Sequence, residues 1–429
     1  MRANTRLLGL LLITAACPAP PVELVPDPCR PGDRIGEGEG EPGPAGLQHV
    51  VVDAAGAVSV RTLAAILEPS FSSLSSSPGA LGDVDDDGTV DLVFTAAAGL
   101  ALAKDAFAVA PVITVIDDHA SLSQNPRNTQ LVDLDDDGDL DLVIAGRSTV
   151  ALRVYPGDAG GFLAPIDLVR TTVTAGPRCL FAPEGPVCFN ELASLVVADL
   201  DDDDDLDLAF ADGGLAVFLQ GPGLTFEKTV VAAALADPRV VAQVGAGSLH
   251  ASDVDGDGFV DLVVGTLAAA AVPILSEDAS FLVFAGAGDG SFGAPIASAV
   301  GAPFAEVVDG GIADLDGDSL PDAVTCAKSA LDGCEERSAA FHAGVGDGTF
   351  AAGVDLGLPC FQAAGLADVN GDGVLDFFTA NGSSIALGAL GPTFARPIAA
   401  GLDAPRMVGV VDSDDDGASE LLIVRQSGF

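Results

Sequence analysis

The chain has 429 residues, 49% of them hydrophobic, with 63 acidic residues against 18 basic ones and a formal net charge of −45. That balance excludes nucleic acid and anionic lipid as partners, because both need a Lys/Arg face to neutralise phosphates, and the apolar fraction excludes a disordered acidic tail. Aromatic residues make up only 5%, with no Trp and a single Tyr, Tyr155, which weighs against a large aromatic-anchored interface or sugar platform.

Reading from the N-terminus, Arg2 and Arg6 flank the start of a short apolar run, LLGLLLITAA, that leads through small residues to Cys17. This is the pattern of an export signal over residues 1–17, too short to span a bilayer, which takes about 20 apolar residues. The TAAC end resembles a bacterial lipobox, with Thr14 where Leu is usual. Lipidation of Cys17 is the expectation, and with it a lipid anchor as the protein's one association with a membrane. Residues 18–46 are rich in Pro, Gly and Glu and carry no apolar period, so they read as a linker.

From residue 47 to 429 one nonapeptide recurs seven times: DVDDDGTVD, DLDDDGDLD, DLDDDDDLD, DVDGDGFVD, DLDGDSLPD, DVNGDGVLD and DSDDDGASE. The copies start at Asp83, Asp133, Asp199, Asp253, Asp314, Asp368 and Asp412, at intervals of 44 to 66 residues that account for the whole of this region. Internal repeats of that length decide the fold. Oxygen-bearing side chains occupy positions 1, 3, 5 and 9, and Gly holds position 6 in five copies. Oxygens on alternate residues around a sharp Gly turn suit a hard cation, and calcium tolerates the flexible oxygen shell better than magnesium does.

The predicted ligands are Asp83, Asp85, Asp87 and Asp91 in loop 1; Asp133, Asp135, Asp137 and Asp141 in loop 2; Asp199, Asp201, Asp203 and Asp207 in loop 3; and Asp253, Asp255, Asp257 and Asp261 in loop 4. Loops 5 to 7 contribute Asp314, Asp316, Asp318 and Asp322; Asp368, Asn370, Asp372 and Asp376; and Asp412, Asp414, Asp416 and Glu420. The position-7 carbonyl would complete each shell, giving Ca2+ at up to seven sites. The loops hold 34 of the 63 acidic residues, and seven divalent ions would reduce the charge from −45 to −31. Loops 3 and 5, with Asp204 and Ser319 in place of Gly, and loop 7, ending in Glu420, are expected to bind more weakly.

An EF-hand would place a carboxylate at position 12 and a helix after it. Position 12 here is Phe94, Ile144, Phe210, Val264, Thr325, Thr379 or Ile423, within apolar runs of strand length. Each acidic loop therefore joins two strands. Between loops, Gly-rich turns precede a Phe, as in GDGSFGAPIASAV from Gly288 and GDGTFAAGVDLG from Gly346. The unit reads as strand, acidic loop, strand, turn, strand, Gly turn with Phe, strand. Four antiparallel strands per repeat, seven times over, make an all-β, seven-bladed β-propeller.

These loops, with FGAP at Phe292 to Pro295, resemble the FG-GAP/VCBS-type repeats that build the N-terminal propeller of integrin α subunits. The resemblance implies calcium in the hairpin between the first two strands of each blade. Only ELLIVRQSGF follows the seventh loop, enough for one more strand, whereas LQHVVVDAAGAVSVRTLAAI from Leu47 offers two strands without a loop. The last blade is therefore expected to take two strands from each end of the chain, which removes the open sheet edge.

Cys17 set aside, six Cys remain in a chain read as exported. Cys179 and Cys188, and Cys326 and Cys334, each bracket a short segment and are read as disulfides; Cys29 and Cys360 are left over and could pair with each other. Neither HExxH, GxSxG, a P-loop nor CxxC occurs, and His250 beside Ser248 reads as a strand-edge His rather than a catalytic one. The expected function is an exported, monomeric, calcium-stabilised, non-enzymatic binding or adhesion module on a bacterial surface, for a protein or glycan ligand. The alternative is a propeller-based polysaccharide lyase or hydrolase.

Overall fold

A computed structural model of the chain describes residues 46–54, 57–63, 79–96, 99–108, 111–117, 126–146, 150–170, 178–182, 185–189, 194–211, 215–231, 249–265, 280–299, 304–329, 337–360, 364–379, 384–389, 393–394, 398–399, 405–412 and 416–425. The predicted signal and linker, with Cys17 and Cys29, lie outside the described residues except for Gly46, which opens the first strand; Asp414 and Cys334 lie outside them too.

The described elements are strands throughout, with no helix among them, and they form seven four-stranded antiparallel sheets. Blade 1 comprises Ala80–Gly82, Asp91–Ala96, Gly99–Lys104 and Val112–Asp117, and blade 2 Pro126–Val132, Asp141–Gly146, Val150–Tyr155 and Ile166–Arg170. Blade 3 comprises Ser194–Ala198, Asp207–Ala211, Leu215–Gly221 and Thr225–Val230, and blade 4 Leu249–Ser252, Asp261–Gly265, Ser280–Phe284 and Ile296–Ala299. Blade 5 comprises Phe304–Ala313, Asp322–Ser329, Arg337–His342 and Val354–Cys360, and blade 6 Ala364–Ala367, Asp376–Thr379, Ser384–Ala386 and Ile398–Ala399. Blade 7 joins Pro405–Val411 and Glu420–Arg425 to Gly46–Val52 and Val58–Leu63.

The first strands of neighbouring blades touch from blade 1 through blade 6, and Ala80–Gly82 meets Pro405–Val411 to close the circle. The chain is a seven-bladed β-propeller. Closure follows the expected route: Gly46–Val52 pairs with Glu420–Arg425, Leu47 opposite Val424 and Val50 opposite Leu421, and with Val58–Leu63 on its other side. No blade is left with two strands and an exposed inner edge.

The second strands of blades 2, 3 and 4, Asp141–Gly146, Asp207–Ala211 and Asp261–Gly265, are buried from end to end. Each blade is covered on both faces by its neighbours, so its inner strands read as unbroken apolar runs rather than alternating ones. The core is a ring of inter-blade layers. Val84 and Val93 of blade 1 pack with Leu142 and Tyr155 of blade 2, and Val263 and Phe281 of blade 4 with Ala323 and Phe350 of blade 5. Phe378 and Ile385 of blade 6 pack with Val50 and Leu421 of blade 7. Each fully buried side chain of this size contributes about 1.5–3 kcal/mol. Outermost strands are wetter: Val112, Ile113 and Val115 are each at least 44% exposed.

One buried polar knot ties blades 1 and 2. Arg153, nearly inaccessible, bonds Asp117 on the outer strand of blade 1 and Asp167 on that of blade 2, and the Tyr155 hydroxyl donates to Asp117. The sole tyrosine thus anchors an inter-blade ion pair, which keeps a charge satisfied inside the core.

Candidate metal centres

Consecutive strands of a blade run antiparallel, so the first-to-second and third-to-fourth connections lie at one end of the ring. All seven acidic loops share that end. Their described residues fold by one recipe. The position-1 carboxylate accepts the backbone N–H of position 6 in every loop, from Gly88 (2.8 Å) through Asp204 (3.1 Å) to Gly417 (2.9 Å). Position 5 accepts the N–H of position 7, as Asp257 does from Phe259 and Asp416 from Ala418. The position-5 bonds, reaching two residues on, are the Asx turns that short carboxylate side chains favour.

Two backbone positions are left-handed in each of loops 1 to 6, and position 6 is so in loop 7 as well. At position 6 the φ values run from +70° at Asp204 and +71° at Ser319 to +96° at Gly258, which accounts for the Gly expected there. Position 4 is left-handed too, with φ of +52° at Asp86, +56° at Asp136, +60° at Asp202 and +76° at Gly256. Asp is among the few non-Gly residues that tolerate this conformation; the alternation of Asp and Gly at position 4 was the signal for it in the sequence.

Position 9 has a second task that the sequence reading missed. Asp91, Asp207, Asp261, Asp322 and Asp376 are fully buried and Asp141 nearly so. One oxygen of each accepts the N–H of position 2 of its own loop, as Asp261 does from Val254 at 2.9 Å. The other accepts an N–H at the end of the third strand: Asp105, Gly157, Gln220, Gly286, Gly344 or Gly388. The carboxylate therefore clasps the acidic loop to the neighbouring turn. Four of those donors are Gly because the chains nearly touch: a Cβ at Gly157, Gly286, Gly344 or Gly388 would lie 2.2–2.8 Å from the position-8 carbonyl of the loop. Each such Gly pairs with the Phe of its turn, Gly157 with Phe162, Gly286 with Phe292, Gly344 with Phe350 and Gly388 with Phe394. These pairings close the Gly turns that precede a Phe in the sequence.

Among the described residues, carboxylate oxygens from three residues come within 4.8 Å of one another in groups that include Asp83, Asp85 and Asp91; Asp133, Asp135 and Asp141; Asp199, Asp201 and Asp203; Asp253, Asp255 and Asp261; and Asp314, Asp316 and Asp322. Of the four side chains predicted per loop, positions 1, 3 and 9 converge in loops 1, 2, 4 and 5, whereas position 5 joins the group in loop 3. In loop 6 the Asn370 amide donates to Asp372, and in loop 7 Asp412 and Asp416 take up the common backbone bonds.

Such convergence is electrostatically costly without a counter-charge. Burial raises the position-9 carboxylates above their ordinary range, partly opposed by their two N–H bonds. Asp201 is pushed up to about 6 by burial and by the charges of Asp207 and Asp203. Its Oδ1 is buried with no hydrogen-bond partner, as is Asp85 Oδ1. An orphaned carboxylate oxygen facing other carboxylates fits a cation, and an all-oxygen donor set fits a hard one.

The predicted cysteine pairs can be followed only along the backbone. Arg178–Ala182 and Gly185–Phe189 form a separate two-stranded ladder between blades 2 and 3, in which Cys179 and Cys188 stand directly opposite each other. Cys326 lies in the second strand of blade 5, and Cys360 ends the fourth strand opposite Arg337. His250 sits in the first strand of blade 4, opposite Val263.

No family model matches the chain, and no curated protein matches it. Among solved structures it is similar to an Agrocybe aegerita lectin described as recognising non-reducing terminal N-acetylglucosamine, at 15% identity and a TM-score of 0.54, over 90% of this chain and 96% of that one. It is also similar to the Dos1 propeller, at 11% identity and a TM-score of 0.45, over 83% and 94% of the two chains. AofleA from Arthrobotrys oligospora matches at 13% identity and a TM-score of 0.37, over 77% and 88%. The lectin match, at that identity, speaks to the shared fold alone.

Proposed function

We propose that this protein is an exported, calcium-rigidified propeller of the FG-GAP/VCBS type, acting as a non-enzymatic binding module tethered to a bacterial surface. The observation that carries the metal reading is the convergence of three carboxylates in loops 1 to 5 at one end of the ring, with a buried oxygen that has no partner in loops 1 and 3. Positions 1, 3 and 9 hold the ion in loops 1, 2, 4 and 5, and positions 1, 3 and 5 hold it in loop 3. Calcium supplies positive charge and fixes the hairpins, so its binding free energy adds to folding stability. Residues 1–17 export the chain, Cys17 carries the lipid, and 18–45 serve as the tether.

The ligand surface in this reading lies at the other end of the ring, where the second-to-third and fourth-to-first connections gather, among them the Cys179–Cys188 ladder. Glycans are the ligand class we put first, supported by the lectin with this fold. Thermal melts in calcium and in EDTA test the metal; an unchanged melting temperature would end that part of the reading. A glycan array probed in calcium tests the ligand. Binding without turnover supports a binding module, and cleavage of the bound glycan would move the assignment to the hydrolase or lyase alternative.

A further inference from the structure

Loop 1 differs from the other acidic loops in a way that its own nine residues do not reveal. The Lys104 ammonium lies 2.7 Å from Asp85 Oδ2 and 2.7 Å from the carbonyl of Gly160, in the third-to-fourth turn of blade 2. Gly160, at φ +109°, admits this approach: a Cβ there would meet Lys104 Nζ at 3.3 Å and the Asp85 Cβ at 3.4 Å. The position is defined by the fold, because Lys104 precedes the residue whose N–H is held by the position-9 carboxylate. In blades 2 to 6 the same place is held by Pro156, Leu219, Ala285, Ala343 and Leu387, all uncharged. Blade 1 alone among these six sets a cation there.

We infer that Lys104 is a built-in competitor for metal that makes loop 1 the last of the loops to fill, resting on the reading above that the loops bind calcium. Asp85 is the position-3 member of the converging group of loop 1. A divalent ion entering that group meets a positive charge a few ångströms away, already sharing one of its ligands. The consequence reverses the ranking expected from the loop sequences, in which loop 1 matches the repeat consensus and loops 3, 5 and 7 depart from it. It also makes the joint between blades 1 and 2 calcium-responsive, since full ligation by Asp85 competes with the lysine bridge to Gly160.

Equilibrium dialysis of the whole chain against radioactive calcium tests this, with circular dichroism confirming the sheet content of each variant. At free calcium just sufficient to fill the tighter loops, Lys104→Met should bind one ion more than the parent, and Lys104→Arg should match the parent. Asp85→Asn should match the parent at that concentration and fall one ion short at saturating calcium. The affinity of loop 1 should rise roughly tenfold or more without the ammonium. An isotherm of Lys104→Met that superimposes on the parent, or an ion already lost at low calcium in Asp85→Asn, overturns the inference and leaves the metal reading standing. Asp255→Asn, in loop 4, reports on that reading separately: if it loses no ion at any concentration, the loops are not calcium sites, and the inference falls with them.

Discussion

Two carboxylates of loop 4 should fail differently when replaced, and the contrast separates a ligand that also holds the scaffold from one that serves the ion alone. Asp261 is fully buried and accepts two backbone N–H groups, from Val254 and Gly286, each at 2.9 Å. In Asp261→Asn one oxygen remains to accept, but the amide nitrogen faces the second N–H, donor against donor. A hydrogen bond to a charged acceptor is worth about 1.5–3 kcal/mol, and a stranded buried N–H costs a similar amount. Relief of repulsion from Asp253 and Asp255, which help raise the Asp261 carboxyl, offsets part of this. The net loss should be about 2 kcal/mol, or roughly 2–3 °C in melting temperature; it should already be present in EDTA, and calcium should add to it because Asp261 also belongs to the converging group. Asp255→Asn removes a member of the converging group that holds only a bond to the Asp257 N–H, at 3.1 Å. It should be close to neutral in EDTA and destabilising only in calcium. Differential scanning calorimetry of both variants, with and without chelator, is the assay. Equal losses for the two in EDTA would refute the division of labour between positions 9 and 3.

Gly286→Ala would press a methyl to 2.3 Å from the Val260 carbonyl and should cost roughly 1–3 kcal/mol or more by urea titration, whereas Gly293→Ala, whose nearest atom is 3.7 Å away, should lie within about 0.5 kcal/mol of the parent. Ser319→Gly relaxes a left-handed residue at φ +71° and should raise the melting temperature, by about 1 kcal/mol of stability, visible in EDTA and calcium alike. His342 is fully buried against the Phe281 ring, and burial lowers its pKa to about 4. Its unfolded value is higher, so the neutral ring favours folding fully above pH 6.5, and that contribution drains away as pH falls from 6.5 towards 4. The loss approaches about 3 kcal/mol. The difference in stability between the parent and His342→Asn, followed by urea titration in saturating calcium, should shrink across that window; a difference that stays flat would show that His342 does not titrate between the two states.

Much of this ring was legible in the chain. Seven nonapeptides in step gave the blade count, Phe94 and its counterparts at position 12 argued for strands after the loops, and Leu47 onward supplied the strands missing from the last blade. What escaped were relationships between segments far apart in sequence. Asp261 read as a ligand and nothing more, because its bond to Gly286, 25 residues on, depends on how the third strand returns to the loop. Lys104 drew no notice in the sequence for the same reason: its partner Gly160 lies 56 residues away in the next blade. Position 5 carried the same residue type as positions 1 and 3, yet its oxygen turns back to the chain at position 7, a choice set by backbone dihedrals rather than composition.

The joining of the two chain ends in blade 7 has a mechanical meaning. Gly46–Val52 lies in the interior of its sheet, bonded to Glu420–Arg425 on one side and Val58–Leu63 on the other, and Gly46 sits opposite Arg425 at the end of the ring away from the acidic loops. Tension transmitted through the preceding residues would act along that strand's own axis. Both ladders would then be loaded in shear, many bonds at once, instead of being peeled one by one. A molecule held by its leading segment and tugged at its far end would grip hardest where a chain of this shape would otherwise be easiest to pry open.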